Sequence, residues 1–214
     1  MPAWSGRGST RGGPGSAAGA EGRFPAVGDA PATIAVISDT HVPRRGPALP
    51  EAVVERLRAA DLIVHAGDWS DMATLRMVRG MGRPLVAVHG NVEEPDVRHA
   101  LPRTAEAEIA GLRIGVVHDG GPASGRLERL RARFPGVHMV IFGHSHIPLY
   151  DVAPDGFMIL NPGSPTDRRR QPRHTMAEIA VSAGGPPPVT LLARGGPARP
   201  LPAGPLPRPP SPPP

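Results

Sequence analysis

Five short polar motifs each follow a Val- or Ile-rich run, and that pairing constrains the fold more than any other feature of the chain. Ile-Ala-Val-Ile-Ser leads into Asp39-Thr40-His41, Leu-Ile-Val-His-Ala into Gly67-Asp68, and Val-Ala-Val-His into Gly90-Asn91. Val-Val leads into His118, and Val-Ile-Phe into Gly143-His144-Ser145-His146. The apolar runs are Thr33–Ser38, Leu62–His65, Leu85–His89, Arg113–His118, Val137–Phe142 and Phe157–Leu160, short and continuous as strands buried on both faces are. Pro50–Ala60 has Val53, Val54, Leu57 and Ala60 at helical spacing. Asp71–Met81 and Gly125–Phe134 read the same way, the second with Leu127, Leu130 and Phe134 on one face. Strands alternating with helices predict an α/β protein. Phe157–Leu160, Met176–Ser182 and Val189–Leu192 have no helix between them, which predicts a second sheet packed face to face with the first, helices outside.

The length of 214 residues allows one substantial core, expected over residues 31–193. Residues 1–30 are mostly Gly, Ala, Ser, Arg and Pro, and residues 194–214 are Pro-rich; neither has enough apolar surface to offset the entropy of ordering it, so both read as disordered. The net charge of +5 sits largely in those ends. Residues 1–30 hold three Arg and two acids and residues 194–214 three Arg and no acid, leaving 18 Arg against 17 acids between them. A nearly neutral domain makes nucleic acid an unexpected partner. Without cysteine there are no disulfides or thiolate ligands. No apolar run is long enough to span a bilayer, and no basic region precedes an apolar stretch at the N-terminus. The expectation is a soluble, cytoplasmic protein with no membrane partner; oligomeric state is not legible.

The motifs supply seven oxygen and nitrogen side chains: Asp39, His41, Asp68, Asn91, His118, His144 and His146. Imidazole, carboxylate and amide oxygen together suit Mn, Fe, Zn or Ni and argue against calcium. Each motif lies after a strand, where open α/β sheets place their crevices. Asp39 and His41, two apart on an extended segment, would point the same way and grip one ion. Glycines before Asp68, Asn91 and His144 would allow sharp turns. Two divalent ions bring +4 against −2 from Asp39 and Asp68, so the site should attract an anion. Ions roughly 3.5–4 Å apart can activate a bridging water and clamp the oxygens of an in-line phosphoryl displacement.

The order Asp-x-His, Gly-Asp, Gly-Asn, His, Gly-His-x-His resembles the calcineurin-like metallophosphoesterase superfamily, over roughly residues 33–182. The downstream Leu160-Asn161-Pro162-Gly163-Ser164 and the compact length resemble its small YfcE-like phosphodiesterase branch. The resemblance implies a four-layer, two-sheet β-sandwich flanked by helices, with two divalent ions, Mn first among the candidates. It implies a first ion on Asp39, His41, Asp68 and His146, and a second on Asn91, His118 and His144, with Asp68 bridging. Asn91, His118 and Asp68 would then act in catalysis, and the substrate would be a small phosphodiester. A non-catalytic metal-binding scaffold of the same fold, or a nuclease, are the alternatives.

Two departures stand out. Many members place a His after Gly-Asn that can protonate the leaving group; here Val92 occupies that position. General-acid help is worth about 10²–10⁴-fold, so its loss predicts slow turnover or a preference for good leaving groups. The segment His118-Asp119-Gly120-Gly121 also differs from the usual His-Gly. His65, His89, His99, His138 and His174 are expected to pack or solvate, and Arg44, Arg45 and Arg168-Arg169-Arg170 to lie in solvated loops. Asn161-Pro162-Gly163-Ser164 reads as a turn, not as a catalytic serine.

Overall fold

Alternate side chains of each central strand face two different cores, and this arrangement builds the layers. In the computed structural model, which describes residues 21–23, 30–182, 187–193 and 198–201, the strands form two six-stranded sheets. One sheet holds β2 (Ala32–Ile37), β3 (Leu62–His65), β4 (Leu85–Ala87), β10 (Thr175–Val181), β11 (Val189–Ala193) and β12 (Arg199–Leu201), in the order β12-β11-β10-β2-β3-β4. The other holds β1 (Glu21–Arg23), β5 (Thr104–Ile109), β6 (Leu112–Val117), β7 (Met139–Ile141), β8 (Leu149–Val152) and β9 (Met158–Asn161), in the order β1-β5-β6-β7-β9-β8.

Ile34, Val36, Leu62, Val64 and Val86 of the first sheet meet Ile114, Val116, Met139, Ile141 and Leu160 of the second in the central core. On the outer face of the first sheet, Ala35, Ile37, Ile63 and Ala87 pack under α1 (Glu51–Ala59), α2 (Met72–Arg79) and α3 (Pro95–Ala100) through Leu57, Leu75, Val78 and Val97. On the outer face of the second, Val117, Val140 and Ile159 pack under α4 (Arg126–Arg133) through Leu130, with Phe134 just beyond it. Burying both faces of each sheet is why the strands read as continuous apolar runs. The result is the expected four-layer α/β sandwich.

The division between sheets differs from the sequence expectation. The last strands do not make the second sheet by themselves. β10 pairs antiparallel with β2 and β11 with β10, so both return to the first sheet, whereas β9 pairs parallel with β7 in the second. The open edge of β2 accepts β10 because Ala177 and Ile179 continue its inward apolar face.

Within residues 31–193, three elements were not expected: α3, β5 and β8. β5 reads Thr-Ala-Glu-Ala-Glu-Ile and sends Ala105, Ala107 and Ile109 inward. It joins β6 through Ala110 and Gly111, both with positive φ, as a two-residue hairpin requires. Two short strands fall within the ends read as disordered: Glu21–Arg23 pairs with β5 and Arg199–Leu201 with β11. There the main chain finds an open sheet edge that composition does not reveal. The rest of those two ends lies outside the described residues. No helix among the described residues is long and apolar enough to cross a membrane.

Candidate metal centre

β2, β3 and β4 run parallel, and so do β6, β7 and β9, so their carboxyl ends gather along one edge of the sandwich. The loops leaving five of these strands carry the five motifs. Asp39, His41, Asp68, His144 and His146 all have positive φ, between 47° and 67°. Left-handed backbone at a residue other than glycine costs about 1–3 kcal/mol and persists where surrounding structure enforces it. Here the loops clasp each other: the Asp39 N–H donates to the Gly67 carbonyl (2.9 Å) and the His41 N–H to the Asp68 carbonyl (3.0 Å). Asp39 and His41 therefore converge through two left-handed turns, not through an extended segment as the spacing suggested.

The side chains fall into two clusters, Asp39 with His41 and His146, and Asp68 with His118 and His144. In the first, His41 Nε2 lies 3.1 Å from His146 Nε2, which is 3.3 Å from Asp39 Oδ1. In the second, Asn91 Oδ1 is 3.0 Å from both His118 Nε2 and His144 Nδ1. Asp68 joins the two: its Oδ1 is 3.3 Å from His118 Nε2 and its Oδ2 3.6 Å from His41 Nε2. Asp39, His41, Asp68, His118 and His146 are buried, while Asn91 is exposed and His144 half-buried, so the second cluster opens to solvent. All seven residues singled out from the sequence come together.

The rings are aimed by their far nitrogens. His118 Nδ1 donates to the Ala66 carbonyl (2.8 Å) and His146 Nδ1 to the Asp167 carbonyl, which leaves both Nε2 atoms facing the centre. Metal-binding imidazoles are typically oriented in this way. Burial would raise the Asp68 carboxyl, but the His118 hydrogen bond and charge, the Asn91 N–H and the charge of His41 hold it well below the usual range. Burial pulls His118 down, yet the Asp68 hydrogen bond and the Asp39 and Asp68 charges push it up to about 9. Burial wins at His41, which is lowered and favours a neutral ring with a free lone pair. Imidazole nitrogens and carboxylate oxygens thus converge from several loops on two neighbouring points. A divalent cation in each cluster fits that donor set.

The glycines act less through turns than expected. Gly67 does need its φ of +93°. At Gly90, however, a Cβ would stand 2.1 Å from Asp68 Oδ1, and at Gly143 one would stand 1.9 Å from Ser38 Oγ and 2.6 Å from Asp39 Oδ2. These two positions need the space of a missing side chain.

Supporting residues were harder to find in the sequence. Glu93 is buried, and its Oε1 accepts from the backbone N–H of Asp68 (2.7 Å), Gly90 (2.6 Å) and Trp69 (3.3 Å), tying the loops after β3 and β4 together. Its position two residues after Asn91 was the only signal. In the turn after β9, Asn161 Nδ2 donates to the Gly143 carbonyl (2.8 Å). Ser164 Oγ donates to the Asp39 carbonyl (2.7 Å) and accepts from the Asp167 N–H (2.8 Å). That turn buckles together the loops that carry Asp39 and Gly143. His65 stacks on Trp69 with centroids 3.4 Å apart and accepts from the Gly67 N–H, so it packs as expected. His89, His99, His138 and His174 lie outside both clusters. Arg44 is exposed and Arg45 pairs at the surface with Asp167 (3.5 Å). Arg169, by contrast, donates to the His144 carbonyl (3.3 Å).

Residues 33–184 match the family described as the calcineurin-like phosphoesterase superfamily domain. A probable metallophosphoesterase of Methanocaldococcus jannaschii is 40% identical over 136 residues, 62% of this chain and 68% of that protein. Another, of Methanothermobacter thermautotrophicus, is 37% identical over 138 residues, 62% of this chain and 77% of that one. The fold is similar to that of vacuolar protein sorting 29 from Cryptosporidium parvum, with a TM-score of 0.67 at 19% identity, covering 81% of this chain and 97% of the other. The family match takes in all five motifs, and the chain belongs to the calcineurin-like phosphoesterase superfamily, as a metal-dependent phosphoesterase.

Proposed function

We propose that the chain is a dinuclear phosphodiesterase acting on a small phosphodiester, cytoplasmic and served best by Mn in vitro. The observation that carries the dinuclear reading is Asp68, which turns one carboxylate oxygen toward each cluster. Asp39, His41 and His146 would hold one divalent ion, Asn91, His118 and His144 the other, with Asp68 shared. Such ions supply Lewis-acid polarisation of phosphoryl oxygens and activation of water.

The chain's own groups do the remaining work. Asn91 and His144, at the open side, orient the ester as it enters. Buried Asp39 and His146 form a floor that keeps bulk water out. Val92 is half-buried and has no proton to give. The leaving group must therefore depart as an anion or take its proton from solvent, which favours diesters with acidic leaving groups. The complete donor set argues against a purely scaffolding role, and the near-neutral charge of residues 31–193 against a nuclease.

The test is hydrolysis of bis-p-nitrophenyl phosphate against p-nitrophenyl phosphate, with chelated protein and with added Mn²⁺. Metal-dependent turnover that favours the diester is the expected result. Preference for the monoester would overturn the diesterase assignment, and turnover indifferent to chelation would overturn the metal mechanism.

A further inference from the structure

The open side of the centre is flanked by two arginines that the reaction as described does not use. Asn91 and His144 face each other there, Asn91 Oδ1 to His144 Nδ1 at 3.0 Å. The backbone carbonyl of each is taken by a guanidinium: Arg98 Nη2 donates to Asn91 O (2.7 Å), and Arg169 Nη1 to His144 O (3.3 Å). Arg98 comes from α3 and Arg169 from the loop after β9, so they approach from different elements. Both are exposed, and among the described residues neither has a carboxylate within ion-pairing distance. Arg45, in contrast, is held by Asp167, and Arg168 turns back to the Gln171 carbonyl (2.6 Å).

A guanidinium has five N–H donors, and one anchoring bond leaves a planar fork free for an anion with part of its mobility already lost. A diester's scissile phosphate carries one negative charge, which the metal centre itself would meet. The rim charges call for a second anion on the same molecule.

We propose that Arg98 and Arg169 form a second anion-binding rim, and that the substrate is a small phosphodiester carrying an additional phosphate. This rests on the phosphodiesterase reading above for its catalytic part, but not for its binding part. The test uses Mn-loaded full chain in two arms. Calorimetry compares a nucleoside bisphosphate with the matching monophosphate, and kinetics compares the p-nitrophenyl esters of the same pair. The second phosphate should improve both affinity and kcat/KM by about tenfold or more, the scale of a charge-assisted hydrogen bond. In R98A/R169A that ratio should fall toward one, and R98K/R169K should keep part of it.

Equal affinity for the two ligands in the unaltered chain overturns the rim. So does a double variant that weakens both ligands equally while losing Mn affinity, since the arginines would then only brace the loops. Arginine-dependent binding preference without turnover of either ester keeps the rim and overturns the diesterase reading. Turnover without any such preference does the reverse. Competition by a single-stranded oligonucleotide tighter than that of the bisphosphate overturns the assignment to a small molecule.

Discussion

Replacing Glu93 by alanine should loosen the metal centre without touching a ligand. Its Oε1 is the shared acceptor for the N–H groups of Asp68 (2.7 Å), Gly90 (2.6 Å) and Trp69 (3.3 Å). An N–H left unsatisfied in the interior costs about 1–3 kcal/mol. Asp68 and Trp69 are buried and would bear that cost; half-buried Gly90 can recruit water. Against this, the other carboxylate oxygen, Oε2, is buried with no hydrogen-bond partner among the described residues, and removing it recovers desolvation energy. The net destabilisation should be about 2–4 kcal/mol in the metal-free protein. The Asp68 backbone would lose its tie to the Gly90 loop, leaving the Asn91 and Val92 N–H groups on Asp68 Oδ1 (2.9 and 3.3 Å) to hold the two together. Mn affinity should therefore fall by about 10–100-fold, the scale of lost outer support. Glu93→Gln keeps an acceptor oxygen and should sit between. Urea unfolding of the chelated protein reads the first effect and calorimetric Mn titration the second. A Glu93→Ala protein within 0.5 kcal/mol of the parent on the same scale as the roughly 1 kcal/mol typical substitution, with unchanged Mn affinity, would refute the pinning argument.

Asp68→Asn should abolish Mn-dependent diester hydrolysis and reduce metal stoichiometry by elemental analysis; near-normal turnover would sink the shared-carboxylate mechanism. Gly90→Ala should displace Asp68, because the new Cβ would stand 2.1 Å from its Oδ1. Its metal affinity should drop while unfolding of the chelated protein changes by only about 1–3 kcal/mol, a normal cost of overpacking. Val92→His should raise kcat selectively for esters with poor leaving groups, by up to about 10²-fold. An equal gain on p-nitrophenyl and alkyl esters would show that the new ring does something other than donate a proton.

The sequence alone determined the strand-then-motif rhythm and the seven donors, because burial on both faces writes continuous apolar runs and metal chemistry admits few residue types. Those signals are local. Tertiary structure decided what depends on contacts distant in the chain. It returned β10 and β11 to the first sheet, where β2 offers an open edge with a matching apolar face. It also paired β5, whose alternation of Ala with Glu is a weak strand signal until β6 lies beside it. The supporting groups became visible only there too: Ser164 reaches Asp39 across 125 positions, and Glu93 reaches Asp68 across 25. Hydrogen bonds between loops leave no period in the sequence. They exist only once two sheets have brought the carboxyl ends of their strands to one edge, which is why the candidate donors could be read from the chain and the framework that aims them could not.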